Sequence, residues 1–328
     1  MLSMRKLAAA VLAACATLLA VAPGAMAEEN VQVPEGTPAY SPVSGVSGNV
    51  NSIGSDTMNN LMTLWGEGYN RLYPSVRLQV EGKGSSTAPP ALIAGTAQLA
   101  PMSRDMKPSE IDDFEKKFGY KPTGFRVALD ALAVYVHKDN PVVSLSLAQL
   151  DGIFSTTHKS GHADVTRWSE LGLTGSWDQP ISLYGRNSAS GTYGFFKDHA
   201  LARGDFKPSV KEQPGSSSVV QGVAGDRFGI GYSGIGYRTS GVRAVPISSK
   251  DGDSAYEPEL ENVVTGKYPL GRFLFVYVNK APGKPLDPLV GEFMKFILSR
   301  QGQEIVVKDG FLPIPAKAVE AELKKLAS

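Results

Sequence analysis

Ala131-Leu132-Ala133-Val134-Tyr135-Val136 and Phe273-Leu274-Phe275-Val276-Tyr277-Val278 are the two stretches on which the fold turns. Each is a nearly continuous apolar run rather than an alternating one, the pattern of a strand buried on both faces. Each is closed by a polar break containing Asn and Pro: His137-Lys138-Asp139-Asn140-Pro141 after the first, Asn279-Lys280-Ala281-Pro282 after the second. Two matched runs so far apart suit strands that carry the chain across a domain boundary and back. They predict one domain at 49–130 plus 273–328 and a second, 131–272, inserted between. Length agrees, since the 328 residues, or roughly 300 without the first 27, exceed what one hydrophobic core ordinarily supports.

Working outward, strand-like and helix-like stretches alternate in the manner of an α/β fold. A short strand ends near Ile53, and a helix is predicted from about Thr57 to Leu72, with Leu61, Leu64, Trp65, Tyr69 and Leu72 on one stripe. Val76–Val80 reads as the next strand. Ala88–Ala94 reads as a helix, because Pro89 and Pro90 are tolerated only in a first turn. Phe293, Phe296 and Ile297 mark an amphipathic helix before the loop at Gly310. Residues 28–48, rich in Pro, Gly and Ser, predict a disordered or extended leader.

Before that leader, Arg5 and Lys6 precede an apolar run, Leu7–Ala22, and then Ala25-Met26-Ala27. This is the pattern of a secretory signal peptide, residues 1–27, cut after Ala27, and it predicts a periplasmic or secreted protein. The one cysteine, Cys15, lies inside the run and also permits a lipoprotein reading, disfavoured because Ala16–Ala22 stay apolar. Cleavage after Ala27 leaves no cysteine, which excludes disulfides and thiolate chemistry. It also takes Arg5 and Lys6 from 33 basic residues, leaving 31 against 32 acidic. So balanced a charge gives no bulk attraction to nucleic acid or anionic membrane.

Four turns supply small hydroxylated residues where a strand-like run gives way to a helix-like one: Gly54-Ser55-Asp56-Thr57, Gly82-Lys83-Gly84-Ser85-Ser86-Thr87, Met102-Ser103-Arg104-Asp105 and Arg186-Asn187-Ser188-Ala189-Ser190-Gly191-Thr192. Each Ser, Thr or Asp is an ordinary N-cap. A helix N-terminus also exposes unpaired N–H groups and a partial positive charge, which bind an oxyanion without net basic charge. The residues alone leave both readings open.

Other motifs weigh less. His158 and His162 stand i, i+4, but Gly161 and the lack of nearby ligand residues argue against a metal. Asn187-Ser188-Ala189-Ser190-Gly191 lacks the first glycine of a nucleophile elbow. Gly229-Ile230-Gly231-Tyr232-Ser233-Gly234 contains Gly-x-Gly-x-x-Gly without a clear following helix, so a strand and tight turn explain it better.

Arg186-x-x-x-Ser190-Gly191-Thr192 resembles the phosphate-clamping segment of the periplasmic phosphate-binding proteins. Gly54-Ser55-Asp56-Thr57-Met58, Gly84-Ser85-Ser86-Thr87, Ala100-Pro101-Met102-Ser103-Arg104, Phe228-Gly229-Ile230-Gly231-Tyr232 and Tyr268-Pro269-Leu270 resemble that family too, over essentially the whole chain after residue 49. The resemblance implies two Rossmann-like lobes joined by two hinge strands, with a ligand cleft between them. It implies phosphate contacts at Ser55, Asp56, Thr57, Ser85, Ser103, Arg104, Arg186, Ser190, Gly191 and Thr192, and no cofactor, catalytic residue or metal. Many members read Ser-Asp in the third loop, with the aspartate accepting the ligand's proton. Here Arg104 follows Ser103, which adds a positive group and passes the acceptor role to Asp56, with Asp105 in reserve. The implied partners are inorganic phosphate and the ABC permease complex of an inner membrane, and the expected state is a monomer. Two alternatives stand beside this: a secreted alkaline-phosphatase-like enzyme, and a receptor for another oxyanion such as sulfate.

Overall fold

A computed structural model describes residues 31–327; the signal-peptide and lipoprotein readings lie outside the described residues. The chain first lays down β1 (Gly48–Ile53), α1 (Asn59–Leu72), β2 (Val76–Glu81), α2 (Ala88–Ala94), β3 (Ala100–Met102) and α3 (Pro108–Phe118). β1 and β2 pair in parallel, and Ser52 bridges to Leu99 just before β3. On α1, Leu61, Trp65 and Tyr69 are buried while Leu72 is exposed, so the predicted stripe is core packing. Trp65 anchors it by donating its indole N–H to the Gly302 carbonyl at 2.8 Å.

β4 (Thr123–His137) is the spine of the molecule. Its second part pairs with two of the next strands, which follow in order as β5 (Leu145–Ser146), β6 (Ser182–Arg186), β7 (Lys211–Gln213), β8 (Gly229–Gly234), β9 (Val242–Ala244) and β10 (Ile247–Ser248). Interleaved with these are α4 (Leu147–Phe154), α5 (Gly191–His199), α6 (Ser216–Ala224) and α7 (Leu260–Val264). β11 (Gly271–Val278) then returns antiparallel to the first part of β4, and α8 (Pro288–Ile297), α9 (Arg300–Lys308) and α10 (Ala316–Ala327) close the chain. The large sheet therefore runs β3-β11-β4-β8-β6-β7, with β9 also on β4. These are two α/β lobes sharing one strand. β4 changes partner between Ala131, opposite Gly271, and Leu132, opposite Gly234. Residues Val127–Val136 are buried without interruption, as the apolar run predicts, but the strand begins eight residues before Ala131. Arg126 and Asp130 break the apolar pattern there, and Asp130 is tolerated inside because Arg272 pairs with it.

Residues 31–47 correct the expectation of a flexible leader. They are irregular but packed: Tyr40 is buried, its ring edge-on to Phe296 at 5.7 Å, its hydroxyl donating to Glu292 Oε2 at 2.9 Å and accepting from the Tyr73 hydroxyl at 2.6 Å. Gln301 Oε1 accepts from Tyr40 N, and Arg300 N donates to Pro38 O, both at 2.8 Å. Burial pushes the Tyr40 phenol far above its ordinary pKa, so it stays a donor. Composition weighed the Pro and Gly of this stretch and passed over one aromatic anchor. Among the described residues no helix is long and apolar enough to cross a membrane.

Candidate functional site

Three loops of the first lobe meet the start of α5 from the second. At the end of β1, Gly54 turns the chain so closely past Pro101 that an added Cβ would lie 2.2 Å from its carbonyl oxygen. That turn presents Ser55, Asp56 and Thr57, with the carbonyls of Asp56 and Thr57 accepting from the Tyr237 hydroxyl at 3.2 and 3.0 Å. After β2, Gly84 takes φ +109°, a conformation open to glycine, and delivers a single 3₁₀ turn, Ser85–Thr87. Ser85 Oγ accepts from Ser103 N at 3.0 Å and lies 3.3 Å from Ser103 Oγ. Across the cleft Ser190 caps α5, its Oγ accepting from Thr192 N at 3.1 Å and Tyr193 N at 3.3 Å. The lobes touch directly: Ser86 N donates to Ala189 O at 3.1 Å, and Thr57 Oγ1 lies 2.8 Å from Thr192 Oγ1. A Cβ on Gly191 would fall 2.3 Å from Ser85 Oγ and 2.7 Å from Ser103 Oγ, so only glycine lets these hydroxyls approach the helix start.

Arg186, the last residue of β6, points its buried guanidinium into this cradle. Nη1 donates to Ser216 Oγ at 2.7 Å, and Nη2 donates to Pro214 O at 3.2 Å and faces Asp56 Oδ2 at 3.1 Å. Its Nε is buried with no partner, as is Ser55 Oγ. An unspent donor on a buried cation costs free energy until an acceptor arrives. Burial lowers the Arg186 pKa from its ordinary value, and the Asp56 carboxylate offsets part of that. Asp56 Oδ2 also accepts from Ser216 N at 2.9 Å, so this first-lobe carboxylate sits on the N-terminus of α6.

Eight of the ten expected residues thus gather as one cluster: Asp56, Thr57, Ser85, Ser103, Arg186, Ser190, Gly191 and Thr192. Ser55 lies beside it with its hydroxyl unpaired. Arg104 is the exception. Both its terminal nitrogens are taken by Glu110, at 2.8 and 2.7 Å, in a two-point fork, and neither Asp56 nor the exposed Asp105 side chain is its partner. The third loop also does not run straight into a helix, because α3 starts only at Pro108. Sequence reasoning missed Ser216, although Gly215-Ser216-Ser217-Ser218 carries the same Gly-Ser helix-start signal as the other turns. It also missed Asp130 and Arg272. Arg272 donates from Nε and Nη2 to Asp130 Oδ2 at 2.9 and 2.7 Å, from Nη1 to Ser103 O at 2.9 Å, and from Nη2 to Thr192 Oγ1 at 2.9 Å.

A groove of about 720 Å³ opens next to the cradle, walled by Asn59, Asn60, Tyr237, Arg238 and Asp309 among others; of the cradle residues only Asp56 reaches it. Burial pushes the Asp309 carboxyl up to about 6, with Asn60 donating to it. His158 and His162 stay apart from all this: His158 Nε2 faces Asp164 at 3.3 Å, and the ring of His162 pairs with the Ala163 carbonyl.

A family model described as a PBP superfamily domain matches residues 39–301. The phosphate-binding protein PstS of Pseudomonas aeruginosa is 57% identical over 291 residues, covering 88% of this chain and 90% of that protein. The chain belongs to the PBP superfamily, in the family of the PstS phosphate-binding proteins. Within that family it is also similar to the PstS of Staphylococcus haemolyticus, 30% identical over 86% of each chain. Among solved structures, a Clostridium perfringens chain with bound phosphate matches at 27% identity and a TM-score of 0.69, over 81% of this chain and all of the other. An ABC-type phosphate transport receptor from Vibrio cholerae matches at 25% identity and a TM-score of 0.64, with the same coverage.

Proposed function

We propose that this protein binds inorganic phosphate between its lobes and delivers it to the membrane permease of an ABC importer. The observation that carries the reading is the buried Arg186 guanidinium with an unpartnered Nε, held by Ser216 Oγ of its own lobe and facing Asp56 of the other. Such a site offers donors and fixed positive charge to an oxyanion and excludes water around it. The names of the PstS relatives and the phosphate-bound neighbour agree with it. The proposed contacts are Ser55, Asp56, Thr57, Ser85, Ser103, Arg186, Ser190, Gly191 and Thr192, with Asp56 taking the phosphate hydroxyl and Arg104 bracing its own loop through Glu110. We take the working limits of the two moving bodies as 49–130 plus 273–328 and 131–272. The receptor acts as a monomer outside the inner membrane.

Ester hydrolysis needs a nucleophile with a base, or an activated water. Apart from Ser55, the serines and threonines of the cradle cap a helix or are hydrogen-bonded, and among the described residues no histidine is bonded to them, which favours a receptor over a phosphatase. Titrating the purified protein with phosphate and with sulfate, beside small-angle scattering and an ester-turnover assay, tests the reading. Phosphate should bind tightly, compact the molecule and raise its melting temperature by mass action. Sulfate binding as tightly, an unchanged radius, or turnover of esters would refute it.

A further inference from the structure

The hydroxyl chain across the cleft has a direction, and Arg272 sets it. Arginine carries donors and no acceptor, so at the 2.9 Å contact Arg272 Nη2 gives a hydrogen and Thr192 Oγ1 receives it. A threonine hydroxyl has one proton. With one lone pair of its oxygen taken by Arg272, Thr192 turns that proton away from the guanidinium, and Thr57 Oγ1, 2.8 Å away, is placed to receive it. The same logic runs from the other side. Arg186 Nη1 gives to Ser216 Oγ at 2.7 Å, and Ser216 Oγ lies 3.5 Å from the same Thr57 Oγ1. Two arginines on separate strands therefore feed one threonine, whose own proton is left to an acceptor outside the chain. Arg272 is well held for this task. Asp130 grips it at two nitrogens, Ser103 O takes Nη1, and its guanidinium lies over the Phe195 ring of α5 at 5.2 Å. Asp130 Oδ1 in turn accepts from Ile235 N at 3.0 Å, so the pair is tied to both lobes.

We propose that Arg272 is a positioning residue for the anion site: it turns the Thr192 proton onto Thr57, so that the Thr57 hydroxyl is the donor offered to the bound oxyanion. The proposal rests on the phosphate reading and adds to it a residue that need not touch the ligand. Without the guanidinium the Thr192 hydroxyl can instead accept from Thr57, and turning the Thr57 proton to the ligand must be done by the ligand itself.

A double-mutant cycle on phosphate titration tests this, using Arg272→Lys, Thr192→Val and the pair together. Lysine keeps a cation beside Asp130, so the fold should stand, and the ligand-free melting temperature checks that it does. Arg272→Lys alone should weaken phosphate binding about tenfold, the size of one hydrogen bond. Thr192→Val should weaken it at least as much, and adding Arg272→Lys to Thr192→Val should cost less than about threefold more, because the hydroxyl it orients is gone. In Thr192→Ser, which keeps the hydroxyl, Arg272→Lys should cost its full factor. Losses that simply multiply in Thr192→Val, while the wild type binds phosphate, overturn this proposal and leave the receptor reading standing. A wild type that does not bind phosphate overturns both.

Discussion

Arg186→Lys separates the charge of the cradle from its shape. In the free protein the guanidinium already donates to Ser216 Oγ and Pro214 O and faces Asp56. Those contacts are made without ligand, so losing them lowers stability, by about 1–3 kcal/mol for a buried group whose partners are left unpaired. Affinity depends on what is made only in the complex. That is the buried Nε, which has no protein partner, and the planar fork it belongs to. A charge-assisted hydrogen bond contributes about 1.5–3 kcal/mol, and a lysine ammonium keeps the charge without the parallel donors. The loss in binding should then be about 2–4 kcal/mol, or roughly 30- to 1,000-fold in Kd. Isothermal titration with phosphate measures it, and a ligand-free thermal melt reports the stability component separately. A lysine variant that binds within about threefold of the parent would refute the reasoning, because charge alone would then suffice.

Asp56→Asn removes the carboxylate facing Arg186 while leaving an oxygen for Ser216 N; competition binding should show phosphate weakened less than about tenfold and sulfate strengthened, since a proton-free anion no longer meets a like charge. An unchanged phosphate-to-sulfate ratio would remove the filter. Gly191→Ala places a methyl 2.3 Å from Ser85 Oγ, so closure should cost about 1–3 kcal/mol and titration should show phosphate bound about 5- to 150-fold more weakly; full affinity would mean the serines move aside freely. For Asp309 the folded-state pKa, about 6, lies above its ordinary 3.8, so the folded protein holds the proton more tightly and this stability is lost as pH rises through that window. Asp309→Asn should abolish that slope in urea melts and be more stable than the parent in neutral buffer, the difference closing as pH falls toward 3.8; parallel pH profiles would contradict it.

What could be read in advance followed from local chemistry. Turns built of Gly, Ser and Thr at strand ends are legible because the backbone demands them, as at Gly54 and Gly84, and they led to most of the cradle. The apolar run at Ala131–Val136 marked the crossing strand but hid its first half, where Arg126 and Asp130 look like surface residues. Asp130 is inside because its partner, Arg272, lies 142 residues on, and no local pattern announces so distant an ion pair. Arg104 was open to a nearer reading: Pro108 at a helix start with Glu110 two residues on is a capping pattern, and that glutamate also takes the arginine. Tyr40 shows the reverse failure, in which the composition of a whole segment masked the one side chain that pins it.

The register of β4 on β11 has an architectural consequence. Ala131 and Gly271 are directly opposed partners in an antiparallel ladder, so the chain leaves the first lobe and re-enters it at the same spot. Delete what lies between, and the two strands stand ready to be joined by a tight two-residue turn, as an ordinary β-hairpin. Topologically, then, the second lobe is a cargo module spliced into the tip of a hairpin, and its 139 intervening residues could be lengthened, exchanged or recombined without re-threading the host sheet.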